Sequence, residues 1–163
     1  MTGRRALIAL ALAAGVLVTT GLSTSAAAPR QPLYKPAFAS LLGANEIGDD
    51  GRRNAGDDDG EGSFALSAGA TNICYGYVVK AIDQPTVAHI HKAKAGKNAD
   101  PLITLQVPDA GDPGLASECL ADVSDAVVDD IIEHPRRYYV NVHTAAFPDG
   151  AIRGQLQRLP RDE

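Results

Sequence analysis

Short runs in which apolar side chains recur at every second position most strongly constrain the fold of this 163-residue chain. In residues 72–79 this pattern places Ile73, Tyr75, Tyr77 and Val79 on one face of an extended strand. Comparable runs occupy residues 41–47, 63–67, 87–91, 102–107, 138–144 and 151–157. Turns rich in Gly, Pro and Asp separate them. Seven or eight short strands predict an all-β fold, an antiparallel sandwich or barrel.

One segment has helical periodicity instead. Ser124 is a suitable N-cap residue and Pro135 ends the segment. The apolar stripe of this predicted helix consists of Val123, Val127, Val128, Ile131 and Ile132. The sequence therefore predicts an all-β domain with one short helix.

The N-terminal residues predict export. Arg4 and Arg5 precede an apolar run over residues 6–18 and small residues over 23–28, as in a cleavable signal peptide. We expect a signal peptide over residues 1–27, an extended lead-in over 28–39, the domain over 40–159 and a tail over 160–163. The paired arginines leave both general-secretory and twin-arginine export open. After cleavage we expect no membrane insertion and a secreted or cell-envelope location.

The charge of the mature chain narrows the class of partner. Cleavage removes Arg4 and Arg5, which leaves 13 basic residues against 20 acidic ones and moves the formal charge from −5 to −7. No basic run is present, so we expect no nucleic-acid partner. An unidentified extracellular or cell-envelope partner fits this composition.

Cys74 and Cys119 are the only cysteines. In an oxidising compartment their default state is one disulfide. Thiolate ligation of a metal is rejected, because it favours cysteines at closer spacing or beside histidines.

Three of the four histidines lie in predicted strands. His89 and His91 project from one strand face, and His143 shares a face with Tyr139 and Asn141. Three neutral imidazoles suit one copper ion, in preference to zinc, with Asn141 completing or orienting the ligand shell. The alternative is a structural role, in which the imidazoles bond to backbone carbonyls or to the hydroxyls of Tyr139 and Thr144. Both interpretations stay open from sequence.

Two further polar residues have alternative roles. Arg153 could orient a small anion near the histidines, or form a structural pair with Glu46 or Asp149. His134 lies beside Pro135 at the predicted helix C-terminus, which favours capping over metal ligation.

Two classes of site are not expected. The acidic loop at 57–62 lacks an EF-hand register, because Ala68 stands where the twelfth-position Glu belongs. No nucleophile elbow or recognisable triad is present, so no catalytic residue is predicted and the protein is more an interaction module than an enzyme.

Three segments in order carry a family resemblance. They are Leu41-Leu-Gly-Ala-Asn-Glu46, Ala88-His-Ile-His91, and Tyr139-Val-Asn-Val-His-Thr144 followed by Pro148-Asp-Gly-Ala-Ile-Arg-Gly-Gln-Leu156. Over residues 40–158 the chain resembles the CHRD domain, a family named for repeats in chordin and found as single exported bacterial domains. Two departures are Lys92, where the family usually has Gly, and the acidic loop, where it is usually rich in Pro, Ser and Gly.

The resemblance implies an immunoglobulin-like β-sandwich that acts as a binding or structural module. A more distant likeness is to copper-zinc superoxide dismutases, which also place a His-x-His pair on a sandwich strand and carry a further His and an Arg late in the chain. In that likeness His89, His91, His143 and Arg153 are the counterparts of the copper-site residues. It implies the alternative function, a copper protein with dismutase-like redox activity. The His-rich zinc loop is missing between His91 and His143, where only His134 stands, so a two-metal site is not expected.

Overall fold

The computed structural model describes residues 35–69 and 72–158. The predicted signal peptide (1–27), the first part of the lead-in (28–34) and the tail (160–163) lie outside these residues. No helix in the described ranges has the length and apolar character needed to cross a membrane.

The described residues form an antiparallel β-structure with one α-helix, which confirms the predicted fold class. The strands are β1 Lys35–Leu42, β2 Glu61–Ala68, β3 Ile73–Lys80, β4 Pro85–His91, β5 Pro101–Leu105, β6 Gly114–Leu120, β7 Tyr139–Thr144, β8 Ile152–Gln155 and β9 Gln157–Arg158. The helix α1 spans Asp125–Glu133, and short 3₁₀ helices span Gly43–Asn45 and Pro135–Arg137.

The strands form one sheet in the order β5-β4-β7-β8-β1-β2-β3-β6, with β9 paired to β1. Residues from distant positions in this order, such as Ile90 on β4 and Tyr77 on β3, belong to the same buried core. Near the ends of the order, the Gln106 backbone N–H donates to the Tyr75 hydroxyl over 2.7 Å, and the Tyr77 hydroxyl donates to the Gln106 carbonyl over 2.6 Å. The sheet therefore curves around its core like a nearly closed barrel or sandwich.

The core is built from the inward side of each alternating strand. On β3 the inward residues are Ile73, Tyr75, Tyr77 and Val79, the set that the sequence pattern predicts. On α1, Val128 and Ile131 are buried and the other members of the predicted stripe pack partly against the core. Ser124 precedes α1 as expected, but its carbonyl, not its side chain, accepts the first hydrogen bonds.

Two strands differ from the sequence prediction. The first strand occupies Lys35–Leu42, not 41–47, because Ala37, Ala39 and Leu41 face the core while residues 43–45 turn away as a 3₁₀ helix. The strand β6 is absent from the prediction, since its small and polar residues leave only a weak alternating pattern.

Strand β6 pairs with β3 in a register that places Cys74 opposite Cys119. The two sulfurs are bonded, which confirms the predicted disulfide. The bond ties an edge strand of the sheet to its neighbour.

Candidate metal centre

The three strand histidines meet on the outer face of neighbouring strands β4 and β7. In the register of this antiparallel pair, His89 is opposite Asn141, His91 is opposite Tyr139, and His143 is opposite Val87. The alternate residues, including Ile90 and Val140, turn inward and are fully buried in the core. Apolar packing on the inner face therefore fixes which side chains the two strands present outward.

The imidazoles are close enough to share a ligand. One ring nitrogen from each of His89, His91 and His143 lies within 4.8 Å of the others. The ring centroid of His89 is 5.3 Å from that of His91 and 5.4 Å from that of His143, and both pairs meet edge-on. The structure thus brings together all three histidines that the sequence singles out.

Backbone carbonyls select the tautomers of two of these rings. Nδ1 of His91 lies 2.8 Å from the carbonyl oxygen of Ala99, and Nδ1 of His143 lies 2.8 Å from that of Pro148. A carbonyl oxygen only accepts, so each Nδ1 carries a hydrogen. In the neutral rings the lone pair is therefore on Nε2, and an outer hydrogen bond of this kind is the usual companion of a metal-binding imidazole.

The bonds of His91 and His143 to backbone carbonyls fit the structural alternative as well, but two ring nitrogens of the cluster remain without a partner in the described residues. Nδ1 of His89 and Nε2 of His143 are buried and have no hydrogen-bond partner within residues 35–69 and 72–158. The two expected hydroxyls do not bond to these nitrogens in the part of the chain that the structure describes: the Tyr139 hydroxyl accepts from the Ala99 N–H and the Thr144 hydroxyl accepts from the Phe147 N–H. A buried polar atom without a partner costs free energy, so these two nitrogens are positions that a ligand or an ordered water would stabilise.

The site favours neutral imidazoles. Burial lowers the pKa of the His89 ring, and the neighbouring His143 and His91 lower it further. Burial also lowers the pKa of the His91 ring, against the opposing hydrogen bonds to Ala99 and Asn141. Only a neutral imidazole offers a lone pair to a metal ion.

The side chain of Asn141 contacts the His91 ring. Its Oδ1 lies 2.9 Å from Nε2 of His91. Because Nδ1 of His91 already holds the ring hydrogen, two lone pairs face each other across this distance in the neutral state. A proton on Nε2, a bound cation, or a turn of the carboxamide that presents its N–H would each relieve the repulsion.

The His91 ring is the first member of a stack of three planar groups. The Tyr139 ring is parallel to the His91 ring at a centroid distance of 4.5 Å, and the guanidinium carbon of Arg153 is 3.4 Å from the Tyr139 centroid. The His91 ring and the Arg153 guanidinium both contact the Tyr139 ring at distances that leave no room for both on one face. They therefore lie on opposite faces of the Tyr139 ring. Tyr139 thus lies between His91 and Arg153.

Arg153 is 2% exposed, and it is enclosed by polar groups. Its Nη1 lies 3.5 Å from Oε1 of Glu46, one of the two carboxylates expected as its partner, and donates to Asn98 over 2.7 Å. Its Nη2 donates to the carbonyl of Lys97 over 2.6 Å. Burial raises the pKa of Glu46, although a hydrogen bond from Ile47 and the charge of Arg153 oppose that rise.

The remaining candidates lie apart from this cluster. His134 follows α1, where its Nδ1 is 3.0 Å from Oδ1 of Asp130 and no other histidine is near in the described residues. Residues 57–62 form the turn that enters β2, where the Asp59 N–H bonds to the Asp57 carboxylate.

The sequence pattern does not indicate two features of the site, the stacking of Tyr139 and the contacts made by the loop over residues 92–100. The stacking role of Tyr139 was not predicted, although its strand face was. The loop over residues 92–100, which supplies the Ala99 and Lys97 carbonyls and Asn98, has no periodic pattern. Such loop contacts depend on tertiary placement alone.

Comparison with known proteins gives one match. Searches among curated proteins and among solved structures found none. The model of the CHRD domain matches residues 37–156, which includes most of β1, all of β2 to β8 and every residue of the histidine cluster. Because this match covers most of the sequence, the chain belongs to the CHRD domain family.

Proposed function

We propose that this CHRD domain is an exported binding module that holds one transition-metal ion between His89, His91 and His143. The observation that carries the proposal is a set of three imidazole nitrogens within 4.8 Å of one another, at a site where two buried ring nitrogens lack partners. Family membership supports a binding or structural module in general. The cluster supplies the specific ligand.

The lone pairs are arranged as a metal requires. The carbonyls of Ala99 and Pro148 place the lone pairs of His91 and His143 on Nε2. Nε2 of His143 and Nδ1 of His89 have no hydrogen-bond partner in the described residues, and Nε2 of His91 faces Oδ1 of Asn141. Nitrogen ligands at about 2.0–2.1 Å from one ion are roughly 3.4 Å apart in a tetrahedral site. Separations of up to 4.8 Å between the ring nitrogens therefore shorten by up to about 1.4 Å as the ion binds.

A cation also explains the contact between His91 and Asn141. Burial disfavours protonation of His91, so a proton between Nε2 and Oδ1 of Asn141 is costly. A metal ion bound to Nε2 neutralises the same repulsion, and Oδ1 at 2.9 Å from that nitrogen is suitably placed as a weak fourth ligand or as an orienting group.

Copper is the favoured ion. Imidazole sites bind Cu²⁺ more tightly than Zn²⁺, and three nitrogen donors with one weak oxygen suit either ion. Arg153 is paired with Glu46 and stacked on Tyr139, so it is not available to guide an anion to the metal. The proposed function is therefore metal binding alone. Export is supported by the N-terminal signal pattern and by the Cys74–Cys119 disulfide.

The test is metal analysis of the mature protein, purified without chelators or an affinity tag and dialysed against Cu²⁺ or Zn²⁺. We expect one equivalent of bound copper in the wild-type protein and its loss in His143→Ala. The matched control is His134→Ala, which removes the fourth histidine outside the cluster. This control should keep its copper, and circular dichroism should verify that both variants are folded.

Bound metal should also raise the melting temperature of the wild-type protein and the His134→Ala control, but not of His143→Ala. If the wild-type protein held no metal after copper loading, the proposal would be overturned and the histidines would have a structural role. An equal loss of copper in both variants would place the metal outside the cluster.

A further inference from the structure

Basic side chains that are scattered along the sequence line a connected series of surface clefts. Arg136 and Arg137 form the wall shared by the first and second clefts. Ala95, Gln155 and Gln157 form the wall shared by the second and third. We name this series the basic groove after its exposed cations, Arg53, Lys94, Arg136, Arg137 and Arg158.

The net charge of the residues that line the groove is positive, whereas the net charge of the whole chain is negative. The full sequence carries 20 acidic against 15 basic residues. Among the residues that line the three clefts, Glu133 is the only acidic one, and buried Arg153 adds a sixth basic residue. Such segregation creates a local positive potential that attracts anions.

Four of the five exposed cations form no ion pair in the described residues, although Arg158 donates to the backbone carbonyls of Ile132 and Glu133. Among the described residues, no carboxylate lies within ion-pair distance of Arg53, Lys94 or Arg136. Arg137 makes one long contact of 3.8 Å with Asp130, which is already paired with Lys92 at 2.6 Å. Exposed like charges repel each other, so their collection along one groove indicates an anionic ligand that spans it.

The lining of the groove favours a carbohydrate polymer over a nucleic acid. Proteins that bind single-stranded nucleic acids stack bases on aromatic rings, and no Phe, Tyr or Trp of the described chain lines these clefts. Exposed Gln157 offers a carboxamide to hydroxyl groups. We propose that the basic groove binds an anionic polysaccharide, whose acidic groups pair with Arg53, Lys94 and Arg136.

The test measures binding of a fluorescein-labelled heparin decasaccharide by anisotropy in about 50 mM and about 200 mM salt. The mature full-length protein is compared with Lys94→Gln/Arg136→Gln in the groove. The control is Arg52→Gln/Lys80→Gln, which changes the net charge equally at exposed positions that do not line the clefts. We expect roughly five- to tenfold weaker binding for the groove variant and less than about twofold for the control.

Binding should weaken with added salt in the wild-type protein, and less steeply in the groove variant. Equal losses in the two double variants would mean that net charge alone attracts the probe, which overturns the proposal. Tighter binding of single-stranded DNA of equal charge would also overturn it in favour of a nucleic acid. No binding at the lower salt concentration would reject the groove as a ligand site.

Discussion

The Tyr139 ring lies parallel to the His91 ring, with an interplanar angle of 1° and 4.5 Å between the centroids. The contact joins the histidine cluster to the buried Arg153, which packs on the opposite face of the same ring. His91 is therefore fixed on one side by a stack and at Nδ1 by the Ala99 carbonyl, while His89 and His143 lack a stacked neighbour of this kind in the described residues. We expect the metal site to assemble around His91.

Replacing Tyr139 should separate ring stacking from its hydroxyl contact. Tyr139→Leu removes the flat surface that orients His91, so we expect roughly tenfold weaker copper binding. Tyr139→Phe keeps the ring and loses only a 3.3 Å bond from the Ala99 N–H, so its affinity should stay within about threefold of wild type. Competition with a chromophoric chelator measures both. Equal affinities in the two variants would show that the ring does not position His91.

The buried pair of Glu46 and Arg153 should be costly to break from one side. The two side chains are 1% and 2% exposed, and Glu46→Gln leaves the arginine charge without its counter-charge. We expect the free energy of unfolding in urea to fall by about 3–5 kcal/mol. The double variant Glu46→Gln/Arg153→Met should recover part of this loss, since no buried charge remains. A double variant less stable than Glu46→Gln would contradict this account.

Asp130 should make stability depend on acid pH. Hydrogen bonds from Lys92 and Tyr138 hold the pKa of its carboxyl well below the ordinary value of 3.8. Its ionised form therefore stabilises the fold above about pH 4, and this contribution is lost as the pH falls below 3.8. We expect Asp130→Asn to cost roughly 1–2 kcal/mol at neutral pH and to flatten the acid limb of the stability profile.

Urea titrations from neutral to acid pH measure both effects, and Asp129→Asn, an exposed neighbour, is the control. A parallel shift of the whole profile in Asp130→Asn, with unchanged curvature, would refute the titration of this carboxyl as the cause.

The disulfide should stabilise the domain through the loop that it closes. Cys74 and Cys119 are 45 residues apart, for which chain entropy gives an upper value of about 4 kcal/mol. Cys74→Ala/Cys119→Ala should lower the free energy of unfolding by up to this amount, and the reduced wild-type protein should behave similarly. A loss below about 1 kcal/mol would mean that the segments of β3 and β6 stay close together in the unfolded chain even without the disulfide.

Local sequence patterns predicted most strands and the helix of this fold, but predicted less well where each begins and ends. The alternation in β3 and the stripe of α1 are strong signals, because each element buries one regular face. Strand β6 escaped prediction, since an edge strand with exposed Leu115 at 73% needs no apolar alternation. The start of β1 was misplaced because small Ala37 and Ala39 fill its inward positions.

The sequence alone determined which side chains share a strand face. The two-residue period put His89 with His91, and His143 with Tyr139 and Asn141, while the cysteine count indicated the disulfide. Tertiary structure decided that β4 pairs with β7 in the register that makes the histidines converge. It also decided that the loop over 92–100 supplies the Ala99 carbonyl, that Arg153 is buried with Glu46, and that scattered cations line one groove. These contacts join residues far apart in the chain, and no local periodicity records them.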